Sequence, residues 1–447
     1  MGEALALQVA TLIDGTGRPP VRNATVLVSD GRVIAAGPHI DIPASYELVR
    51  LPKSTLVPGL IDAHTHIEVT LSGKEFGAES AAIFDWHTEE LLAHGVTGVR
   101  DTGGTGFGFS YSRLQAEDRP EWPRFVGSGP NLDGPPGAPY PGLRVVTDPR
   151  AAATAAAELI SKGAPFLKTY VWLPQEDLQA VVSVAHRSGV PVAAHVGNAI
   201  SVGEAVAAGV DALEHICSGR ELLDAESRVL ESGLPERPHD WVLSLRPWRF
   251  VDLGSDRVRR HVEALAESRV TITPTLAILR VFCRPDEAYA MLEARHDLPR
   301  GLGEAWRATW PGTGYSEDDV AHGEHEWEAV LQFVEMLHTA GVVLVAGSDI
   351  PNPGTYPGAS LHHEIGWLAD CGLGMVGAVH AATGAAAALM GRSDIGVVRG
   401  GMRADLVVLD GDLTADATAL AKIEAVLRDG QVVHGSLGDT TAEPLAG

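Results

Sequence analysis

The sequence predicts an α/β protein: a (β/α)8 TIM-like barrel with a small β-sandwich built from both chain termini. Three observations predict it. Short apolar runs alternate with helix-like stretches through the middle of the chain, hairpin-rich β texture occupies both ends, and residues suited to metals or protons stand where most of the central runs stop. The expected division is residues 1–57 and 395–447 for the sandwich and 58–394 for the barrel. A chain of 447 residues with 45% hydrophobic and 21% charged content has room for that core.

Taken in order, residues 1 to about 57 contain LQVATLIDG, ATVLVSDG, RVIAAGP and YELVRLP, with the hairpin signals Asp14-Gly15 and Asp30-Gly31 between them. The far end repeats the texture in ADLVVLDGD and AVLRDGQVVHG. Two such short β pieces cannot each bury a core, so they are expected to pair with one another.

The central runs are LVPGLIDAH, GVTGVRD, RFVGSG, APFLKTY, VPVAAH, VDALEH, VTITPT and GVVLVAGSD. Helix-like stretches separate several of them, among them AAATAAAELISKG, EDLQAVVSVAHRSG, AISVGEAVAAG and EHEWEAVLQFVEMLHTAG, which close on Gly as helix C-caps do. Two connections, 217–269 and 276–341, are overlong for loops and hold Trp241, Trp248, Trp306, Trp310 and Trp327. Those tryptophans either cover an active site or form satellite cores.

Residues 56–69, LVPGLIDAHTHIEV, carry the first chemical signal. In a strand Asp62, His64 and His66 share one face. His-x-His alone fits a metal site or a polar loop equally well. The other strand ends shift the balance: Lys168 ends the fourth run, His195 the fifth, His215 the sixth and Asp349 the eighth, with Arg100-Asp101-Thr102, Asn131 and Thr275 at the remaining three. Catalytic groups of such barrels gather at the C-terminal ends of the strands, and this pattern points to metal.

Composition excludes other classes. A net charge of −24 without a basic patch argues against nucleic acid. Cys217, Cys283 and Cys371 are few, odd in number and far apart, so neither a disulfide framework nor a cysteine zinc site is expected. The N-terminal segment lacks the layout of a signal peptide, and no run approaches the ~20 apolar residues of a membrane helix. A soluble cytoplasmic protein with a small-molecule substrate is expected. Pairing into a homo-oligomer through an exposed sandwich is open.

The order HxH, Lys, His, His, Asp resembles the binuclear branch of the amidohydrolase superfamily, including its imidazolonepropionase-like and prolidase-like members. VPGLIDAHTH, VRDTGG, LEHI, AGSDIP, AATGAAAALMG and GVVRGGMRADLVVLD carry the resemblance along nearly the whole chain. It implies that His64, His66 and Asp349 hold one divalent ion and His195 and His215 a second. It also implies that Lys168 bridges them as a carbamate formed with carbon dioxide. Zinc suits these ligands, as do manganese, iron and cobalt. The implied reaction is hydrolysis of an amide-type C–N bond by a metal-bridging hydroxide, with Asp349 as general acid and base. Asp62 and Glu214 are candidates for orienting imidazoles.

Tyr140, Tyr170, Asn131, Trp172, Thr275 and His363 are the candidate substrate contacts. Relatives that cleave dipeptides tend to carry Gly-Gly-His after strand three and Tyr after the strand-five His. This chain has NLDGPPGAPYPG and Gly197-Asn198 there, so Tyr140 or Tyr170 is expected to supply the hydroxyl. Cleavage of esters, lactones or carbamates, a lyase or isomerase step, a mononuclear deaminase and a non-catalytic barrel are the competing readings.

Overall fold

The computed structural model describes residues 4–67, 80–104, 119–138, 142–197, 199–234, 245–310 and 312–438. Its first four strands are β1 (Leu5–Leu12), β2 (Val21–Ser29), β3 (Arg32–Gly37) and β4 (Glu47–Pro58), and its last three are β15 (Leu406–Leu409), β16 (Ile423–Arg428) and β17 (Gln431–Gly435). They join in one seven-stranded sheet of order β17-β16-β15-β4-β1-β2-β3, so the two ends of the chain do pair. The seam is antiparallel, with Leu406 opposite Pro58 and Leu409 opposite Thr55.

Alternation divides the work of this sheet. Leu406 and Val408 join Leu5, Leu7, Val9, Val26, Val28 and Leu427 in a core made only of terminal residues. Val407 and Leu409, on the other face, join Val57 and Val426 in the main barrel core. A buried ion pair fastens the same boundary. Arg124, on a barrel strand, donates from Nε to Asp405 Oδ2 at 2.6 Å and from Nη2 to Asp429 Oδ2 at 2.8 Å.

One residue, Gly59, separates β4 from β5 (Leu60–Thr65), the first barrel strand. β5 pairs in parallel with β6 (Val96–Asp101), and β6 with β7 (Arg124–Gly127). The third barrel strand resumes in β8 (Asn131–Asp133), beside which β9 (Leu143–Val145) is inserted. From β8 the parallel ladder continues through β10 (Leu167–Thr169), β11 (Val192–His195), β12 (Ala212–Glu214), β13 (Thr271–Thr273) and β14 (Val343–Leu344). Strand eight then closes on strand one: Ala63 N donates to Ala346 O, Asp349 N to His64 O and His66 N to Ile350 O. All eight apolar runs therefore form the strands of a TIM-like barrel among the described residues.

The helices read from the sequence appear at Pro149–Ser161, Gln175–Arg187, Val202–Ala208 and, longer than expected, Glu317–Thr339. The two overlong connections are largely helical rather than loops, with further helices at Asp256–Ser268, Leu276–Cys283, Pro285–Ala294 and Arg300–Ala308. Trp248, Trp306, Trp310 and Trp327 are buried in the main core rather than in separate satellite cores. Trp241 lies outside the described residues. No described helix is long and apolar enough to cross a membrane.

Candidate metal centre

Six side chains named from the sequence come together at the C-terminal mouth of the barrel, all of them buried: His64, His66, Lys168, His195, His215 and Asp349. Strands one and eight build the tightest corner. The His64 and His66 Nε2 atoms are 3.3 Å apart, and Asp349 Oδ1 lies 3.5 Å from the first and 3.2 Å from the second. Among the described residues this trio is the group whose ligand atoms all lie within 4.8 Å of one another. A side chain at Gly347 would prevent it, because a Cβ there would sit 2.7 Å from His64 Cβ.

The other imidazoles continue the array. The His215 ring centroid is 4.7 Å from that of His64 and 4.2 Å from that of His195. Strands six, seven and eight end on His215, Thr275 and Asp349 at φ of 65°, 53° and 61°, left-handed backbone that side chains other than glycine seldom adopt. Backbone strain of this kind gathers at functional sites.

Hydrogen bonds fix the imidazole orientations. Glu214 Oε2 accepts from His64 Nδ1 at 2.7 Å, and the Gly103 carbonyl accepts from His66 Nδ1 at 3.3 Å. Thr275 Oγ1 donates to the Pro274 carbonyl at 2.7 Å, so its lone pair receives the proton of His215 Nδ1 at 2.6 Å. In all three rings Nδ1 meets an acceptor, which favours a proton on that nitrogen and reserves Nε2 for a ligand bond once an ion takes the place of the His66–Asp349 contact.

Burial dominates the electrostatics. It pushes the Lys168 ammonium down to about 8 and the His64 imidazolium down to about 4. It also favours neutral Asp349 and Glu214. For Asp349 the charge of His64 and a bond from His66 reverse the effect, and for Glu214 Arg100 and His64 do, so both stay below the ordinary carboxylate range.

The donor set of His64, His66 and Asp349 fits a divalent ion. Imidazole and carboxylate suit zinc and its first-row neighbours. Lys168 is fully buried and its Nζ has no hydrogen-bond partner among the described residues, an arrangement that costs several kcal/mol unless the nitrogen is bonded to something else.

The second rank of residues differs in part from expectation. Asp62 does not orient an imidazole: Oδ1 accepts from the backbone N of Ser348 at 2.9 Å and of His64 at 3.3 Å, and Oδ2 accepts from the Ser348 hydroxyl. It ties strand eight to strand one, and burial raises its carboxyl to about 7. Thr275, a candidate substrate contact, is bonded to His215. Tyr170 packs edge-on against His195, with centroids 4.8 Å apart. Asn131 is buried with neither amide atom bonded, close against Gly103.

Trp172 is half-buried, and its backbone N donates to Asp133 Oδ1 at 2.7 Å. His363 is exposed on the helix Ala359–Leu368, against Trp367. Tyr140 lies outside the described residues. Two further residues stand behind the centre, the first of them given no role from the sequence beyond ending a strand. Arg100 donates to Glu214, and Glu364 accepts from Ala277 N at the start of the helix that Thr275 introduces. An arginine inside the apolar run GVTGVRD was the available signal for the first, because a buried guanidinium demands a carboxylate.

Comparison with known proteins settles the family. Residues 55–243 and 287–434 match two models that are each described as amidohydrolase family, together well over half of the chain. The chain belongs to the amidohydrolase superfamily. As a sequence this superfamily member is similar to ochratoxinase of Aspergillus niger, 26% identical over 257 residues that span 46% of the chain and 52% of that protein. The chain thus matches about half the length of this curated relative. In structure it is similar to that ochratoxinase (20% identity, TM-score 0.68, 97% of each chain). It is also similar to a prolidase complexed with N-methylphosphonate-L-proline (21% identity, TM-score 0.69, 97% of this chain and all of that one). A bottromycin amidohydrolase superposes at TM-score 0.71 and 25% identity, covering 97% of this chain and 88% of that one.

Proposed function

We infer that this amidohydrolase-family enzyme cleaves an amide-type C–N bond of a small molecule with the help of two divalent ions. The observation that carries the reading is the buried, unpartnered Nζ of Lys168 among four imidazoles and Asp349. Membership of the family, and the names prolidase and amidohydrolase borne by similar structures, support it.

In this reading His64, His66 and Asp349 would hold one ion and His195 and His215 the other, and the Lys168 amine, carboxylated by carbon dioxide with loss of a proton, would supply carboxylate oxygens to both. Zinc is the first candidate. Bound there, the ions would acidify water toward hydroxide near neutral pH and withdraw charge from the substrate carbonyl. The chain's own groups do the rest. Asp349, kept a base by its imidazole neighbours, accepts the proton of the attacking water and delivers it to the departing nitrogen. Tyr170, against His195, and the unbonded amide of Asn131 offer polar contacts to substrate. Trp172 closes the same side of the mouth.

The same reading divides the chain at residues 57 and 395 and takes the terminal sheet as folded over its own apolar face into a sandwich. It places the protein in the cytoplasm, where its three unpaired cysteines suit the reducing conditions. The test is a screen of N-acyl amino acids, dipeptides, cyclic amides and esters with metal-loaded protein, using Lys168→Ala as the blank. Two metals per chain and turnover abolished by chelation are expected. Full turnover by a metal-free preparation would sink the reading, and cleavage confined to the esters would move the bond.

A further inference from the structure

Arg100 lies inside the barrel on β6, beneath the metal-binding side chains and 1% exposed. Its Nη1 donates to two acceptors, Glu214 Oε1 at 2.9 Å and the Ala63 carbonyl at 3.0 Å. The guanidinium carbon stands 4.1 Å over the Phe166 ring, which fixes the plane of the fork. Glu214 spends its other oxygen on His64 Nδ1 at 2.7 Å. The carboxylate is therefore divided, one oxygen for the arginine and one for the imidazole.

We propose that Arg100 is a positioning residue for His64, acting through Glu214, and that it sets how tightly the centre retains the ion held by His64, His66 and Asp349. The proposal rests on the binuclear reading above. The physical reason is orientation. Arg100 is the partner of Glu214 Oε1, and without it the carboxylate can turn about its side chain and release His64 Nδ1. The same guanidinium nitrogen grips the carbonyl of Ala63, so Arg100 fixes the backbone next to His64 as well as its ring. Partners of this kind, one step behind a metal ligand, change metal affinity about 10- to 100-fold when removed.

Arg100 also lines a cavity of ≈ 450 Å³ at the opposite end of the barrel, with Phe166, Ala193, Ala212 and Thr271. A small residue at 100 would extend that cavity toward the ligands. The informative substitutions are therefore long ones, Arg100→Met, which keeps volume without donors, and Arg100→Lys, which keeps one charged donor.

The experiment measures zinc affinity of the full chain by competition with a chromophoric chelator, together with the melting temperature of the metal-free protein. Wild type is compared with Arg100→Met, Arg100→Lys, Glu214→Ala and the double variant Arg100→Met/Glu214→Ala. Expected are an about 10- to 100-fold loss for one of the two equivalents in Arg100→Met and partial recovery in Arg100→Lys. The double variant should be no weaker than Glu214→Ala alone, because the two residues act in series.

Wild-type affinity in Arg100→Met, or losses that multiply in the double variant, would overturn the proposal. So would a lowered melting temperature of the metal-free protein with both equivalents bound normally. If Arg100→Met does not fold, Arg100→Lys decides: unchanged affinity there refutes the proposal, and a selective loss at one equivalent supports it. Wild type that binds no zinc would refute the binuclear reading instead.

Discussion

Thr275 Oγ1 lies 2.6 Å from His215 Nδ1 and gives its own proton to the Pro274 carbonyl, so the hydroxyl acts on the imidazole only as an acceptor. The contact joins the ends of strands six and seven, both in left-handed backbone. Thr275→Val keeps the shape and removes the acceptor. It should weaken one metal equivalent about 10- to 100-fold, while Thr275→Ser stays near wild type. Chelator competition on the two variants checks this.

Asp349 reaches the Nε2 atoms of His64 and His66 with one oxygen, and its other oxygen lies 3.9 Å from His215 Nδ1. With both metals restored by saturating zinc, Asp349→Asn should lower kcat by about 10²- to 10⁴-fold, the usual range for loss of a proton-transfer group. Steady-state kinetics on whichever substrate the screen identifies will show whether kcat falls as predicted.

His87 provides a pH test away from the centre. It is buried on the helix Ser80–Ala93, neither ring nitrogen has a partner, and burial pushes its imidazolium down to about 3. In the unfolded chain the group titrates near 6.5. Between those values the unfolded state binds the extra proton, so this contribution to stability is present above pH 6.5 and is lost as pH falls toward 3. His87→Phe should therefore lose less stability than wild type between pH 7 and pH 5. Urea midpoints at the two pH values measure the difference.

Arg124 is paired on both sides, with Asp405 and Asp429, and its removal leaves Asp405 buried beside the more distant Arg428 at 3.6 Å. Arg124→Met should cost about 3–5 kcal/mol of unfolding free energy, and replacing Asp405 by Leu as well should recover part of it. Denaturant titration of the single and double variants provides the comparison.

The strands and the cluster at their ends were legible for one reason. A barrel strand is a short apolar run with a sharp end, and the clustered side chain is the one at that end, so position along the chain reports position in space. Hydrogen-bond partners are not legible that way. Asp62 and Glu214 are both acidic and both close in sequence to a ligand histidine, yet Glu214 serves His64, 150 positions away, and Asp62 serves backbone. Which of the two faces an imidazole depends on how neighbouring strands are staggered, and that is a tertiary quantity. Thr275 was assigned to substrate for the same reason. The connections 217–269 and 276–341 were left between active-site coverings and satellite cores, because their excess length and tryptophans fit both. Most of their short helices bury only a few residues, and only together do these complete a core.

The single residue between β4 and β5 has a consequence for how the protein is made. β4 has β1 beside it from early in synthesis, but its other edge waits for Leu406–Leu409, and β5 waits for the strand that brings Asp349. The segment bearing His64 and His66 thus leaves the ribosome among the first and is clamped among the last. A growing chain can shape individual βα units, but the corner of His64, His66 and Asp349 is complete only after residue 349 has been made and its strand has closed on β5.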